Sequence, residues 1–323
     1  MACVLKDMKA PTATLAVLLA ASSGLLSAAD PQLLNLVMPD AKVIAGVNVD
    51  QAKASPFGMY VLSQLATQDQ EMQKLTALTG FDPRRDVHEV LVASDGDAQS
   101  HSGIAVARGT FDVAAITAFA TAHQSVAETY NKVTILEDPR QTHGIAFLNS
   151  TLVVAGDVAN VKAAIDRQNG GSVLPAALAV QVNQWSGSQD AWAISTVPPS
   201  TLHPAHGAPK LPGVGQAAGN AFQSIQQAAG GVKFGSSVTL TAQAQADTER
   251  NASGIVDALK LLAGLAQMQA SNDPQATALL QSLTVSAQGN SVNVGLSVPE
   301  DQFQQLVQPH PRNAAPRRGE RGQ

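Results

Sequence analysis

The chain has one cysteine, Cys3, and it falls ahead of the first apolar run. Once that segment is removed, nothing that follows can form a disulfide, attack as a thiolate or hold a metal through sulfur. Tryptophan and tyrosine are nearly as scarce: Trp185, Trp192, Tyr60 and Tyr130 are the whole supply. They do not cluster in sequence, which argues against a row of aromatic platforms for sugars or single-stranded nucleic acid. Only 14% of residues are charged, the net charge is −5, and the one basic run is the extreme C-terminus. A protein that tracks phosphates needs clustered Lys and Arg, so nucleic-acid binding drops out.

The local signatures of catalysis are missing too. There is no HExxH, no nucleophile elbow and no phosphate-binding glycine loop after a strand. "GVGQAAG" (213–219) has the wrong spacing and lies in a proline-rich stretch. The histidines are His88, His101, His123, His143, His203, His206 and His310. Only His203 and His206 are close in sequence, and no carboxylate accompanies them, short of the fixed ligands a zinc site needs. "SDGD" (94–97) starts like a calcium loop, but the later carboxylates are absent, so a hairpin turn is expected there. No catalytic, cofactor-binding or metal-ligating residue is therefore assigned, and no cofactor is expected. The sequons at Asn149 and Asn251 read as chance.

What is present begins at the N-terminus. Lys6 and Lys9 precede "TATLAVLLAASSGLLSAA" (12–29), with Ser27 and Ala29 as the small residues a signal peptidase inspects. Residues 1–29 are expected to be a cleaved signal, leaving a mature periplasmic or secreted chain from Asp30. An uncleaved anchor is the alternative, since the run is just long enough to span. No later segment is.

Apolar residues reach 45%, so a globular core is expected, built mostly from small aliphatic side chains. Residues 42–49 read as a strand, and 55–80 as a helix with Ser55 as N-cap, Pro56 in its first turn and Gly80 as its stop. Residues 88–94 and 102–109 read as a hairpin. A helix over 112–123 follows, then a three-strand meander over 132–138, 144–149 and 151–157 with a tight turn at Asn149 and Ser150, and a helix over 160–168. Trp192, in "DAWAIS", reads as a core-facing strand residue. Residues 198–219 hold five prolines and four glycines and read as a long surface loop. Further on, 221–229 reads as a short helix and 236–246 as a strictly alternating strand. Ile255, Leu259, Leu262, Leu265 and Ala266 mark a long helix. Asp273 and Pro274 open another. A hairpin turns at Gly289 and Asn290, and 299–307 reads as a closing helix. The tail, 309–323, is expected to be disordered.

Strands with one apolar face indicate an α+β protein: antiparallel sheets covered by helices on one side. Two lobes are expected, 30–186 and 187–308. A strand-then-helix pattern recurs in "IAVARGTFDVAAI", "LVVAGDVANVKAAI" and "GLSVPEDQFQQL", which hints at an internal duplication, although any strand-turn-helix looks alike. From Asp40 to Asp166, "TGFDPRRDVHEVLVA", "ARGTFD" and "LVVAGDVANVKAAID" resemble exported bacterial α+β proteins of unknown function, of the acidobacterial type. The resemblance implies fold and export, and no catalytic residues.

One stretch crowds charges and an imidazole together, from Asp82 to Glu89. "DPRRD" has the N-cap and proline of a helical turn, so a helix-to-strand joint is expected rather than an active site. If Ser94 pairs with Ser102, His88 lies opposite Arg108, with Arg108 reaching Asp86 or the neighbours of His88, and Arg84 and Arg85 are left to solvent or the helix end. Three functions are consistent with all this: an exported non-catalytic protein binding an unidentified envelope ligand or partner, a hydrolase whose site is assembled from loops, or a carrier of an apolar ligand between sheet and helices.

Overall fold

Short polar side chains set the helix starts. Asp82 accepts a hydrogen bond from the Arg84 N–H at 3.0 Å, Asp112 from Ala115 at 3.0 Å, and the Ser55 hydroxyl from Gly58 at 3.2 Å. Each satisfies a first-turn N–H that the helix leaves unpaired. The computed structural model describes residues 29–66, 70–97, 100, 102–170, 174–199, 222–269, 274–299 and 302. Its helices are α1 (Pro31–Leu34), α2 (Val49–Lys53), α3 (Pro56–Ala66), α4 (Gln70–Thr79), α5 (Pro83–Asp86), α6 (Val113–Ala122), α7 (Val158–Gly170), α8 (Ala176–Ser188), α9 (Glu249–Gln269) and α10 (Pro274–Gln281).

The strands are β1 (Val43–Asn48), β2 (Val87–Ser94), β3 (Gly103–Gly109), β4 (Val126–Tyr130), β5 (Val133–Glu137), β6 (His143–Phe147), β7 (Leu152–Asp157), β8 (Ala191–Ser195), β9 (Ile225–Lys233), β10 (Ser237–Ala246), β11 (Thr284–Gln288) and β12 (Ser291–Pro299). They form one twelve-stranded sheet in the order β11-β12-β10-β9-β8-β1-β2-β3-β7-β6-β5-β4. Every pairing is antiparallel, so the protein is α+β.

The order repeats. The run β1-β2-β3-β7-β6 has the same connectivity as β8-β9-β10-β12-β11, and the two runs meet where β1 and β8 pair antiparallel. The sheet thus has an approximate two-fold axis through its centre. The connection from β1 to β2 carries α2 to α5, and its counterpart from β8 to β9 contains the proline-rich stretch, of which 200–221 lies outside the described residues.

Three local expectations change. Residues 225–229, read as helical from their Ala and Gln, are the start of β9, which pairs with β8 on one side and β10 on the other. Two ladders of backbone hydrogen bonds outweigh a weak helical propensity. The meander gains a strand, β4, joined to β5 by Asn131 and Lys132 with φ of 48° and 69°, the two-residue turn in which both φ are positive. The hairpin from β2 to β3 slips by one residue: Ser94 lies opposite Gly103, Glu89 opposite Arg108, and His88 is left as a bulge. That register puts Leu91 beside Val106 and Ala93 beside Ile104, all buried. The expected register would turn one strand's apolar set away from the core. The expected signal apart from Ala29, Asp273, the expected closing helix apart from Pro299 and Gln302, and the tail lie outside the described residues.

Directly paired residues share a sheet face, so the register decides what packs where. Ile44, Leu91, Val106, Val154, Ile135, Trp192 and Ile194 share the face covered by Leu33 of α1, Val161 and Ile165 of α7, and Leu178, Val182 and Trp185 of α8. Continued across β9 and β10, that same face carries Thr239, Thr241 and Gln243. The second buried cluster, Ala246, Ala252, Ile255, Val256 and Val292, joins α9 to the opposite face. α9 therefore covers the face opposite the one that α1, α7 and α8 cover.

Candidate functional site

A set of interacting titratable side chains sits at the free edge of the sheet, where α7 meets β4 and β5. Alternation puts Glu128 and Tyr130 of β4 on the same face as Ile135 and Glu137 of β5. One helical turn separates Lys162 from Asp166 on α7, so both reach this face. The Lys162 ammonium lies 2.8 Å from Glu128 Oε1 and 5.6 Å from the Tyr130 ring centroid. Tyr130 Oη donates to Asp166 Oδ2 at 2.9 Å, and Asn131 Nδ2 donates to Asp166 Oδ1 at 2.7 Å.

Glu137 is buried, and its Oε1 has no hydrogen-bond partner. The Glu128 carboxyl beside it, together with burial, pushes its carboxyl above the usual range. The Lys162 ammonium holds Glu128 below it. The two titrations are thus pushed apart, Glu137 releasing its proton at higher pH than Glu128, as two adjacent carboxyls do when one has a cation beside it. The arrangement can hold and pass a proton. Among the described residues no group of three or more His, Asp or Glu is placed to hold a metal.

Because the folded-state pKa of Glu137 is raised, its contribution favours folding at low pH and is lost as pH rises through that value. Glu137→Gln should therefore be more stable than the parent at neutral pH and flatten this part of the pH dependence. Thermal midpoints of the two proteins between pH 4 and 8 check this, and a constant difference across that range would refute the assignment.

The Asp82–Glu89 stretch resolves into four pairings. Arg84 bonds Asp82 at 2.9 Å, and Arg85 bonds Asp86 at 2.6 Å and the Gly80 carbonyl at 2.6 Å. Both arginines are exposed but paired locally, Arg85 reaching the end of α4 at Gly80, and Asp86 faces Arg85 instead of Arg108. His88 Nδ1 lies 3.0 Å from Asp50 Oδ1, and Lys53 Nζ ties α2 to the Arg85 and Val87 carbonyls at 3.1 and 2.8 Å. Arg108 faces Glu89 Oε2 at 3.6 Å and Asp30 Oδ2 at 3.1 Å.

Other sequence candidates are dispersed. His123 stacks on Phe119, and His143 lies beside the Thr142 hydroxyl. His101, His203, His206 and His310 lie outside the described residues. In "SDGD" the Asp95 carboxylate accepts from the Asp97 N–H and the Ser100 hydroxyl, which is turn chemistry. Asn149 likewise accepts from Thr151 and Leu152 in the turn between β6 and β7. The Glu128–Glu137 pair escaped sequence reading because the strand carrying Glu128 was not recognised. The two-residue turn at Asn131 and Lys132 was the available signal.

A second feature lies on the sheet face away from α7 and α8. Ala45 and Val47 of β1, Val92 of β2, Ala105 and Ala107 of β3, Ala193 of β8 and Ala242 of β10 all point that way. Val92 is 45% exposed, Ile145 of β6 is 44% exposed, and Ala193 and Ala242 are exposed as well. The stretch runs from Phe147, packed on Phe111 with ring centroids 5.5 Å apart, to the strands beneath α9.

These features define an all-antiparallel, twelve-stranded α+β protein with the same strand order in both halves. The particular protein whose fold it shares is TP0453. Crystal form III of TP0453 superposes with a TM-score of 0.53 at 9% identity, over 86% of this chain and 97% of that one. Crystal form IV gives 0.52 at 11% identity, over 88% and 99%. No known protein family matches the sequence, and no curated protein does.

Proposed function

We propose that this chain is an exported, non-catalytic protein that binds a ligand or partner in the periplasm or cell envelope, using the open apolar face of its sheet. That face carries the reading. Scattered exposed aliphatics are ordinary, but a contiguous apolar surface across neighbouring strands marks an interaction site. Val92, Ala193 and Ala242 lie in one cross-strand row, joined through Ala45 of β1 and Gly230 of β9, with no polar side chain between them. Export rests on the sequence of residues 1–29. Among the described residues no helix is long and apolar enough to cross a membrane.

Native mass spectrometry of protein taken from its own envelope tests the reading. The parent should retain an apolar species or partner that Val92→Lys and Ala193→Lys lose. Both side chains are exposed, so the stability of the variants should change by no more than about 0.5 kcal/mol. A parent that carries nothing, or variants that retain the same mass, would count against it. The alternative, a hydrolase with a loop-assembled site, is favoured by the Glu128–Glu137 pair, and it requires a turnover that Glu137→Gln abolishes on an intact fold.

A further inference from the structure

Glu89 lies on β2 in the middle of the sheet, 5% exposed, facing the core. A carboxylate there needs cations, and few are close. The guanidinium of Arg108, across the strand, approaches only to 3.6 Å. Arg108 Nε lies 3.1 Å from Asp30 Oδ2 but is not aligned for a hydrogen bond with it. The closest donor to Glu89 is a backbone amide, Asp30 N, at 3.0 Å from Oε1. Burial raises the Glu89 carboxyl in spite of both partners. The carboxylate is under-compensated as long as residue 30 contributes a neutral N–H.

Residue 30 is also where the sequence places the cut. Ser27 and Ala29 are the small residues before it. Cleavage after Ala29 would turn the Asp30 amide into an α-ammonium at the same point. The Asp30 side chain caps α1 on its own through the Gln32 N–H at 2.8 Å, while the cut removes the buried methyl of Ala29, a loss independent of pH. The bond to Glu89 would change from neutral to charge-assisted, roughly twice as strong.

We infer that removal of the leader completes this core: the α-ammonium of Asp30 seats on the buried Glu89 carboxylate, so that the mature chain is held by an ion pair its precursor lacks. The inference rests on the export reading above, and its test separates the two. Apart from Glu89, the charged groups facing the ammonium are the Asp30 carboxylate and Arg108. An ammonium that gains a carboxylate has its pKa raised above the unfolded value of about 8, so its contribution is full below that pH and disappears as pH rises through the folded value.

Two proteins are compared by thermal unfolding from pH 7 to 10. One starts at Asp30, released from a fusion cut just before it, and the other keeps Ala28 and Ala29 ahead of it. The midpoint of the Asp30 chain relative to the longer one should be several degrees higher at pH 7 than at pH 10. Glu89→Gln should remove this pH dependence. Where that variant does not fold, the two parent chains alone decide. A difference independent of pH overturns the ion pair. Separately, N-terminal sequencing of exported protein should return Asp30. Another start overturns the export-linked role even where the ion pair forms in vitro, whereas Asp30 with no pH dependence overturns only the pair.

Discussion

Trp192→Ala should cost about 3–5 kcal/mol, the range for truncating a buried large aromatic, and lower the thermal midpoint by roughly 10 °C. The indole sits on β8 at the centre of the sheet, 6% exposed, with Gly46 of β1 opposite on one side and Gly231 of β9 on the other. The ring fills the space a Gly46 side chain would take, while Gln189 fills that of Gly231. A Cβ on Gly46 would come within 2.7 Å of the indole and 2.6 Å of Leu91 Cδ2. No adjacent residue on β1 or β9 can collapse into the space, so most of the cavity should persist. Since β8 is the strand on which the two halves of the sheet meet, the loss should be felt by both. Unfolding in denaturant checks the magnitude. A loss below about 1 kcal/mol would mean that α8 closes the gap.

The second large effect is expected at Asp190. Its carboxylate side chain is 4% exposed and accepts from Lys233 Nζ and the Phe234 N–H, both at 2.7 Å. Lys233 is 47% exposed, so the two partners are not equivalent. Removing the lysine strands a buried charge with one amide donor. Removing the aspartate's charge lets the ammonium turn into water. Lys233→Met should therefore cost about 3 kcal/mol, at the low end for a broken buried pair. Asp190→Asn should cost about 1–2 kcal/mol as a weakened hydrogen-bond acceptor. The double variant should lose less than the sum by at least about 1 kcal/mol, which a double-mutant cycle measures. Additive losses would show that solvent already screens the pair.

Glu137 and Glu89 are both buried carboxyls with raised pKa, but for different reasons. For Glu137 the first cause is a second carboxylate beside it, and for Glu89 it is desolvation. The first arrangement can hold a transferable proton, while the second calls for a cation. That difference is why Glu137 serves as the test of the hydrolase alternative and Glu89 as the seat proposed for the chain's own amino group.

Much of the fold was legible because it depends on neighbours in sequence. Asp82 and Ser55 could be read as caps from one residue type and a spacing. Gly80 has a φ of +74°, the left-handed conformation expected of a helix stop. The hairpin at Gly289 and Asn290 joins β11 to β12 where its turn residues put it. Trp192 was recognisable as a core residue from its flanking alternation. Cap, turn and period-two signals are local, so the chain carries them wherever it folds.

What lay outside the sequence was settled by pairing at a distance. Residues 225–229 have helical composition, yet they are extended because β8 and β10 each offer a full ladder to them. His88 became a bulge because burying Leu91 with Val106 fixed the register from the other strand. Tertiary structure alone also brought Glu128, on an unrecognised strand, to Glu137, and Asp30 to Glu89 across 59 residues of sequence. It likewise decided which face is covered. Alternation says that a strand has two faces, but only the sheet's register, carried from Trp192 through Gly231 to Thr241, places the α9 cluster opposite the first core and leaves an apolar face open between them. The physical reason is that sequence fixes each strand's own two sides, while their assignment to one side of a twelve-stranded sheet depends on all the intervening pairings at once.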